Sequence, residues 1–286
     1  MGGVKSGTLY VVATPIGNLE DITYRAVRIL GEVDLIAAED TRHSRKLLSH
    51  YGIGTPLISC HEHNEPQRAG ELLERLRSGQ NIALISDAGT PCIADPGYRL
   101  VQACRDGGVR VVPLPGPSAA VAALSVSGLP SDRFAFEGYL PPRSKARRDR
   151  LQSLSQEPRT LILHETPHRL LKALVDMVEL FGGEREMLVA RELTKLHEEL
   201  YRGTVAQALD HFHQGGVKGE IVLVVAPPQL QPQPLPDVER ALAERLASSE
   251  LPRSEIVRQV AREYGLPRSE VYRASLQLDQ KEDADG

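Results

Sequence analysis

The segment from residue 82 to residue 97 constrains this chain more than any other. An apolar run, 82–86, breaks into a loop of small residues, Gly and Pro that carries two carboxylates, Asp87 and Asp95, and a helical pattern resumes at Tyr98. A short continuous apolar run bounded by turn residues fits a strand buried on both faces, the kind found in parallel sheets. Open α/β sheets bind ligands outside the carboxyl ends of such strands. The loop is therefore expected to be a ligand wall, with Asp87 facing ligand hydroxyls or a cation.

The pattern around it repeats. Apolar runs at 9–13, 35–38, 57–59, 82–86 and 109–113 alternate with helical periods that begin near residues 22, 44, 66, 98 and 118. Such alternation predicts βαβ units and a mostly parallel sheet. Past a linker at 128–132, strands are expected at 134–139, 160–164, 187–191 and 220–225, with helices at 145–154, 168–181 and 205–213, forming a second sheet. A proline-rich tether at 227–236 precedes three helical patterns near 238–247, 253–264 and 268–278. The last two are spaced around Gly265 like a helix-turn-helix, and frayed ends are expected at 281–286. The expected division is 1–127, 133–226 and 237–280, an α/β chain with a small helical appendage.

The 286 residues carry a formal net charge of -4, so nucleic-acid contact would need a local basic patch. The three cysteines, Cys60, Cys92 and Cys104, show no CxxC spacing, which argues against a disulfide framework and fits a reducing cytoplasm. No apolar run is long enough to span a membrane, and residues 1–7 lack the apolar core of a signal peptide.

Two more loops follow strands. Residues 14–19, Thr-Pro-Ile-Gly-Asn-Leu, form a βα turn in which Asn18 or Asp21 would cap the next helix. Residues 114–120 place Ser118 as the N-cap of a helix whose free N–H groups suit an anion. Dinucleotide, P-loop and zinc-protease patterns are absent. His61 and His63 share one side of an extended segment, but no third ligand is identifiable, so no metal is expected.

Eight ordered blocks, ATPIGNLEDIT, AAEDTRHSRKLL, HEHNE, SDAGTPCIADPG, PGPSA, ETPHR, RELTKLHEE and KGEIVLVV, span residues 13–225. Together they resemble the tetrapyrrole methylases, the class III S-adenosylmethionine-dependent methyltransferases. The EDTR, HEHNE and RELTK blocks look like the family's RNA-acting branch, which methylates a cytidine ribose 2′-hydroxyl in 16S ribosomal RNA of the small subunit. The resemblance implies two α/β domains with S-adenosylmethionine folded into the cleft between them, and a homodimer. By position it implies a cofactor wall of Pro15, Asp87, Thr90, Ile93, Ser118 and Ala119, with His164, Glu165, Leu193, Gly219 and Glu220 opposite. Cys92 and Ala94 depart from the family pattern but stay small, and ETPHR replaces residues that are hydrophobic in many relatives.

A ribose hydroxyl attacks well only as its proton leaves. Candidate bases and orienters are Glu165, His168 and Lys195, with Glu198 and Glu39. Lys195 would act as a base only with a lowered pKa. Residues 143–150 carry five basic side chains and one acidic one. Arg143, Lys145, Arg147, Arg148 and Arg150 are expected to meet RNA phosphates as a protruding arm, extended by Arg42, Arg45 and Lys46. A tetrapyrrole methylase and a non-catalytic cofactor-sensing module remain open alternatives at this level.

Overall fold

The computed structural model describes residues 6–228, 238–249 and 251–282. The expected tether from 229 to 236 and residues 283–286 lie outside them, as do residues 1–5. The chain divides into two compact units, Met1–Pro228 and Gln229–Gly286.

The first sheet is β1 (Thr8–Val12), β2 (Leu35–Ala38), β3 (Leu57–Ser59), β4 (Ile82–Ile85) and β5 (Arg110–Leu114). Its order is β3-β2-β4-β1-β5, and every pairing is parallel. Helices α1 (Tyr24–Glu32), α2 (Thr41–His50), α3 (Glu65–Arg77) and α4 (Tyr98–Asp106) follow the first four strands. One face buries Leu9, Leu35, Ala37, Ile82 and Leu84 against Leu72, Leu76, Leu100 and Cys104 of α3 and α4. The other buries Val12, Ile36, Ala38, Ala83 and Ile85 against Ala26, Ile29, Leu30 and Leu48 of α1 and α2. Coverage on both faces explains why β2 and β4 are unbroken apolar runs. Thr23, not Asn18 or Asp21, caps α1, accepting from the Ala26 N–H at 3.1 Å. Asn18 instead caps a one-turn 3-10 helix at Leu19–Asp21.

The second sheet has the order β6-β7-β10-β8-β9, from β6 (Phe134–Tyr139), β7 (Thr160–Glu165), β8 (Glu186–Arg191), β9 (Glu199–Thr204) and β10 (Ile221–Val225). Only β6 and β7 run parallel. Helices α6 (Ser144–Leu154), α7 (Pro167–Phe181) and α8 (Val205–His213) cover one face. The other face is covered by α5 (Ala119–Ser127), which leaves the end of the first sheet. Its Ala120, Ala123 and Leu124 pack on Ile162, Leu188, Ala190, Val222 and Val224. Strand β9 escapes the sequence pattern because its residues, ELYRGT, carry two charges and a glycine at a half-exposed sheet edge.

In the second unit α9 (Val238–Ser248), α10 (Arg253–Tyr264) and α11 (Arg268–Glu282) share a core of Val238, Leu242, Ile256, Val257, Val260, Ala261 and Val271. Gly265 makes the turn after α10 at φ 65°, as the helix-turn-helix spacing implies.

The basic segment 143–150 forms the start of α6, and its charge is largely consumed inside the fold. The Arg147 side chain is 5% exposed and donates to Asp176 Oδ2 at 2.7 Å, and Arg148 donates to Asp176 Oδ1 at 2.9 Å. Removing one partner of a buried pair leaves the other charged and desolvated. Asp176→Ala is therefore expected to cost about 3–5 kcal/mol in denaturant unfolding of the full chain. The double change Arg147→Met, Asp176→Leu is expected to recover most of that loss. Equal stability of Asp176→Ala and the native chain would contradict the pairing.

Candidate active site

The loops that follow β1, β2, β4 and β5 meet at the carboxyl edge of the first sheet. Thr14 and Gly89 exchange two backbone hydrogen bonds, of 2.8 and 3.0 Å, which ties the β1 loop to the β4 loop. Thr90 Oγ1 donates to Pro117 O at 3.2 Å and ties the β4 loop to the β5 loop. The buried Glu65 carboxylate accepts from Gly97 N at 3.1 Å and Arg99 N at 2.7 Å, anchoring the far end of the β4 loop at the α4 N-terminus. Gly97 has φ 125°, and a Cβ there would lie 2.7 Å from Leu84 Cδ2 and 2.9 Å from Cys92 Sγ. Cys92 and Ala94 hold φ of 70° and 62°, left-handed conformations costing about 1–3 kcal/mol each, which accumulate at ligand sites.

Strand ends of the second sheet form the facing wall. The cleft encloses about 200 Å³, and eight expected cofactor residues line it: Asp87, Thr90, Ile93, Ser118, Ala119, His164, Leu193 and Glu220. Ser118 takes the N-cap position but makes no side-chain capping bond. Pro15 lines an adjoining cavity.

Two expected residues are elsewhere. His164 and Glu165 are neighbours on β7, so their side chains leave opposite faces. His164 shares the α5 face with Ile162, while Glu165 shares the face of Leu161 and Leu163. The Glu165 side chain is fully buried, accepts from Thr166 N at 2.8 Å, and stands 3.2 Å from Arg169 Nε. It therefore does not line the cleft. Gly219 acts through its backbone, because a Cβ at its φ of 88° would lie 2.2 Å from Glu192 Cδ. Its bareness lets Glu192 Oε1 accept from Glu220 N at 2.9 Å.

The charge of the cleft is one-sided. Glu39, Asp87, Asp95 and Glu220 line it, and none of its described lining residues is Lys or Arg. Burial pushes the Asp95 carboxyl up to about 6, with Glu39, Asp87 and Glu220 adding to the rise. Burial likewise raises Glu39, whose Oε2 accepts from Asp87 N at 3.4 Å. Asp87 Oδ1 accepts from Asp40 N at 3.0 Å and holds β2 to β4. Burial lowers the pKa of His164, favouring the neutral imidazole, and its buried Nε2 has no hydrogen-bond partner. The rings of Phe136 and Tyr139 hold the imidazole edge-on at 5.2 and 5.4 Å.

Lys195 lines the adjoining cavity, 2.7 Å from Glu192 Oε1 and 3.2 Å from Glu220 Oε2. Burial works against its charge, but the Glu192 and Glu220 carboxylates outweigh it and hold its pKa above the ordinary lysine value. That direction is opposite to what a general base needs and favours the charged ammonium. Gly17 makes room for it, since a Cβ there would lie 2.5 Å from Lys195 Cγ. His168 is exposed near the start of α7 and lines neither cavity. Glu198 accepts from Thr194 N at 2.7 Å and shapes the same loop as Lys195.

Among the expected RNA contacts, Arg147 is excluded by burial. Arg148 and Arg150 are engaged with Asp176 and Glu137, and Arg42 is 3.0 Å from Asp40. Arg45, Arg143 and Lys145 are exposed, and Lys46 lines the adjoining cavity. His61 and His63 lie 6.0 Å apart ring to ring, in a turn that lines neither cavity. Asp95, Tyr139 and Ser44 went unassigned in the sequence. Only Asp95 had a signal there, as the second carboxylate of its loop.

The model of the tetrapyrrole (corrin/porphyrin) methylases matches residues 8–209. Proteins named ribosomal RNA small subunit methyltransferase I are similar over nearly the whole chain. That of Synechocystis sp. is 52% identical, covering 96% of this chain and 99% of its own. That of Escherichia coli O157:H7 is 51% identical and covers 96% of both. The solved uroporphyrin-III-C-methyltransferase of Thermus thermophilus shares the fold, with a TM-score of 0.57 at 22% identity over 77% of this chain and 94% of its own. The chain thus belongs to the tetrapyrrole (corrin/porphyrin) methylase family, within a group of close relatives that bear the name ribosomal RNA small subunit methyltransferase I.

Proposed function

We propose that this enzyme transfers a methyl group from S-adenosylmethionine to a cytidine ribose 2′-hydroxyl in 16S ribosomal RNA of the small subunit. A homodimer and a cytoplasmic setting belong to the same proposal. The observation that carries it is a cleft with four carboxylates and no Lys or Arg among its described lining residues, in a chain whose close relatives are named small-subunit RNA methyltransferases. Such a cleft repels phosphates and suits a cation.

When bound, the donor supplies a methyl carbon already activated by a sulfonium. The protein's work is then alignment, which contributes roughly 7–11 kcal/mol in well-oriented reactions. Glu39, Asp87, Asp95 and Glu220 favour the cationic donor, and their attraction weakens once the methyl has left and the sulfur is neutral. Leu193, Ile93 and Ala119 offer apolar surface for a flat base, and the unpartnered His164 Nε2 offers a hydrogen bond. Lys195 places positive charge where the acceptor oxygen gains electron density. Asp95, held up to about 6, is the cleft carboxylate best placed to take up the hydroxyl proton, and burial raises Glu39 in the same direction.

Nucleoside mass spectrometry of small-subunit RNA from cells with and without the protein tests the function. Loss of a 2′-O-methylcytidine in the deletion is expected; an unchanged nucleoside profile would overturn it, and a methylated tetrapyrrole product would favour the small-molecule alternative. Asp87→Asn keeps an acceptor for Asp40 N but removes a charge. It is expected to weaken the sulfonium donor about tenfold by calorimetry, with less effect on the neutral thioether product. The pH dependence follows from Asp95. Above pH 6 it is ionised and attracts the sulfonium; below, it is neutral and does not. Preference for the sulfonium over the thioether is therefore expected to fall as pH drops from 8 to 5, with a midpoint near 6. A pH-independent ratio would exclude Asp95 from the donor's surroundings.

A further inference from the structure

A second cavity, of about 330 Å³, opens beside the cleft. The two share one wall, because Ile16, Asp87, Ala88 and Glu220 line both. Beyond that wall the electrostatics invert. Helix α2 contributes His43 and Lys46, and Lys195 completes a group of basic side chains that the first cavity lacks. Ser44 lines the same cavity, is 2% exposed, and its Oγ has no hydrogen-bond partner. An unsatisfied buried hydroxyl is destabilising, and a ligand oxygen at that point would supply the missing partner.

On the reading of this chain as an RNA methyltransferase, the geometry points to the second cavity as the acceptor site. It takes one ribonucleotide lifted out of its strand, with phosphate at His43 and Lys46, a ribose or phosphate oxygen at Ser44 Oγ, and the 2′-hydroxyl turned toward the shared wall. The cavity volume lies at the low end of the roughly 300–1,000 Å³ of pockets that enclose a compact ligand. A nucleotide stacked in a duplex does not enter such a recess, so the base leaves its stack. Displacement at carbon requires the nucleophile opposite the leaving sulfur, which calls for the acceptor in a recess next to the donor's and not in the same one; the two cavities share Ile16, Asp87, Ala88 and Glu220. As the oxygen–carbon bond forms, the carbon–sulfur bond breaks and its electron pair stays on sulfur. The hydroxyl proton passes to Asp95 or Glu39 on the cleft side of the shared wall, or to water.

Lys46 is exposed, so its substitution leaves the fold intact. The test compares the full native chain with Lys46→Glu, Lys46→Arg and Ser44→Ala, using as substrate small ribosomal subunits from cells lacking the protein. Lys46→Glu is expected to raise KM for subunits at least tenfold while the Kd for S-adenosylmethionine, read by calorimetry, changes less than twofold. Its plot of log kcat/KM against log salt is expected to be shallower by about 0.7, the share of one single-strand phosphate contact. Lys46→Arg is expected to retain most of the native KM, and Ser44→Ala to lose about three- to tenfold in kcat/KM. An unchanged KM and salt slope for Lys46→Glu would overturn the proposal, as would a matching loss of donor affinity. A native chain that binds the donor yet methylates no subunit would instead overturn the functional reading, and the native arm reports that separately.

Discussion

The packing of α5 across the second sheet is the contact on which the site depends. This helix begins at Ala119, directly after the β5 loop, and lays Ala120, Ala123 and Leu124 on β7, β8 and β10. Alanine at 120 and 123 lets the helix backbone approach the sheet closely. Ser118 and Ala119 at its start line the cleft, so the contact that joins the two sheets also sets the separation of the walls. The loops it positions are cross-tied by Thr14 with Gly89 and by Thr90 with Pro117. Left-handed Cys92 and Ala94 persist in the β4 loop because those ties, and the Glu65 carboxylate, over-determine it.

On this frame the charges are sorted. Four carboxylates face one cavity, and Lys195, Lys46 and His43 face the other. Glu220 and Asp87 stand on the common wall, and Glu220 also holds Lys195 in its charged form. A cationic donor and an anionic acceptor would each meet complementary charge and approach one another across a shared boundary. The formal net charge of -4 hides this sorting, because function rests on where the charges stand.

Much of the fold was legible because both strand types leave strong patterns. Buried parallel strands read as apolar runs, and nine of the ten strands announced themselves in this way; β9, half-exposed and charged, did not. The cleft loops were legible from their Gly, Pro and carboxylate content. The errors came where burial and partners decide the role of a side chain. Glu165 falls on the wrong face of β7 by one residue, although strand alternation could have separated it from His164. Arg147 looked like part of a basic arm, but its partner Asp176 is 29 residues away on another helix and invisible to local patterning. Lys195 owes its fixed charge to Glu192 and Glu220, the second of them also distant in sequence.

The central claim is that the cleft between the two sheets holds the sulfonium donor. A crystal structure of the full chain with the thioether product tests it most directly. The account places the product's sulfur and base within contact of Asp87, His164 and Leu193, and leaves the cavity beside Lys46 open to the acceptor. Product found against any other surface of the chain would contradict it.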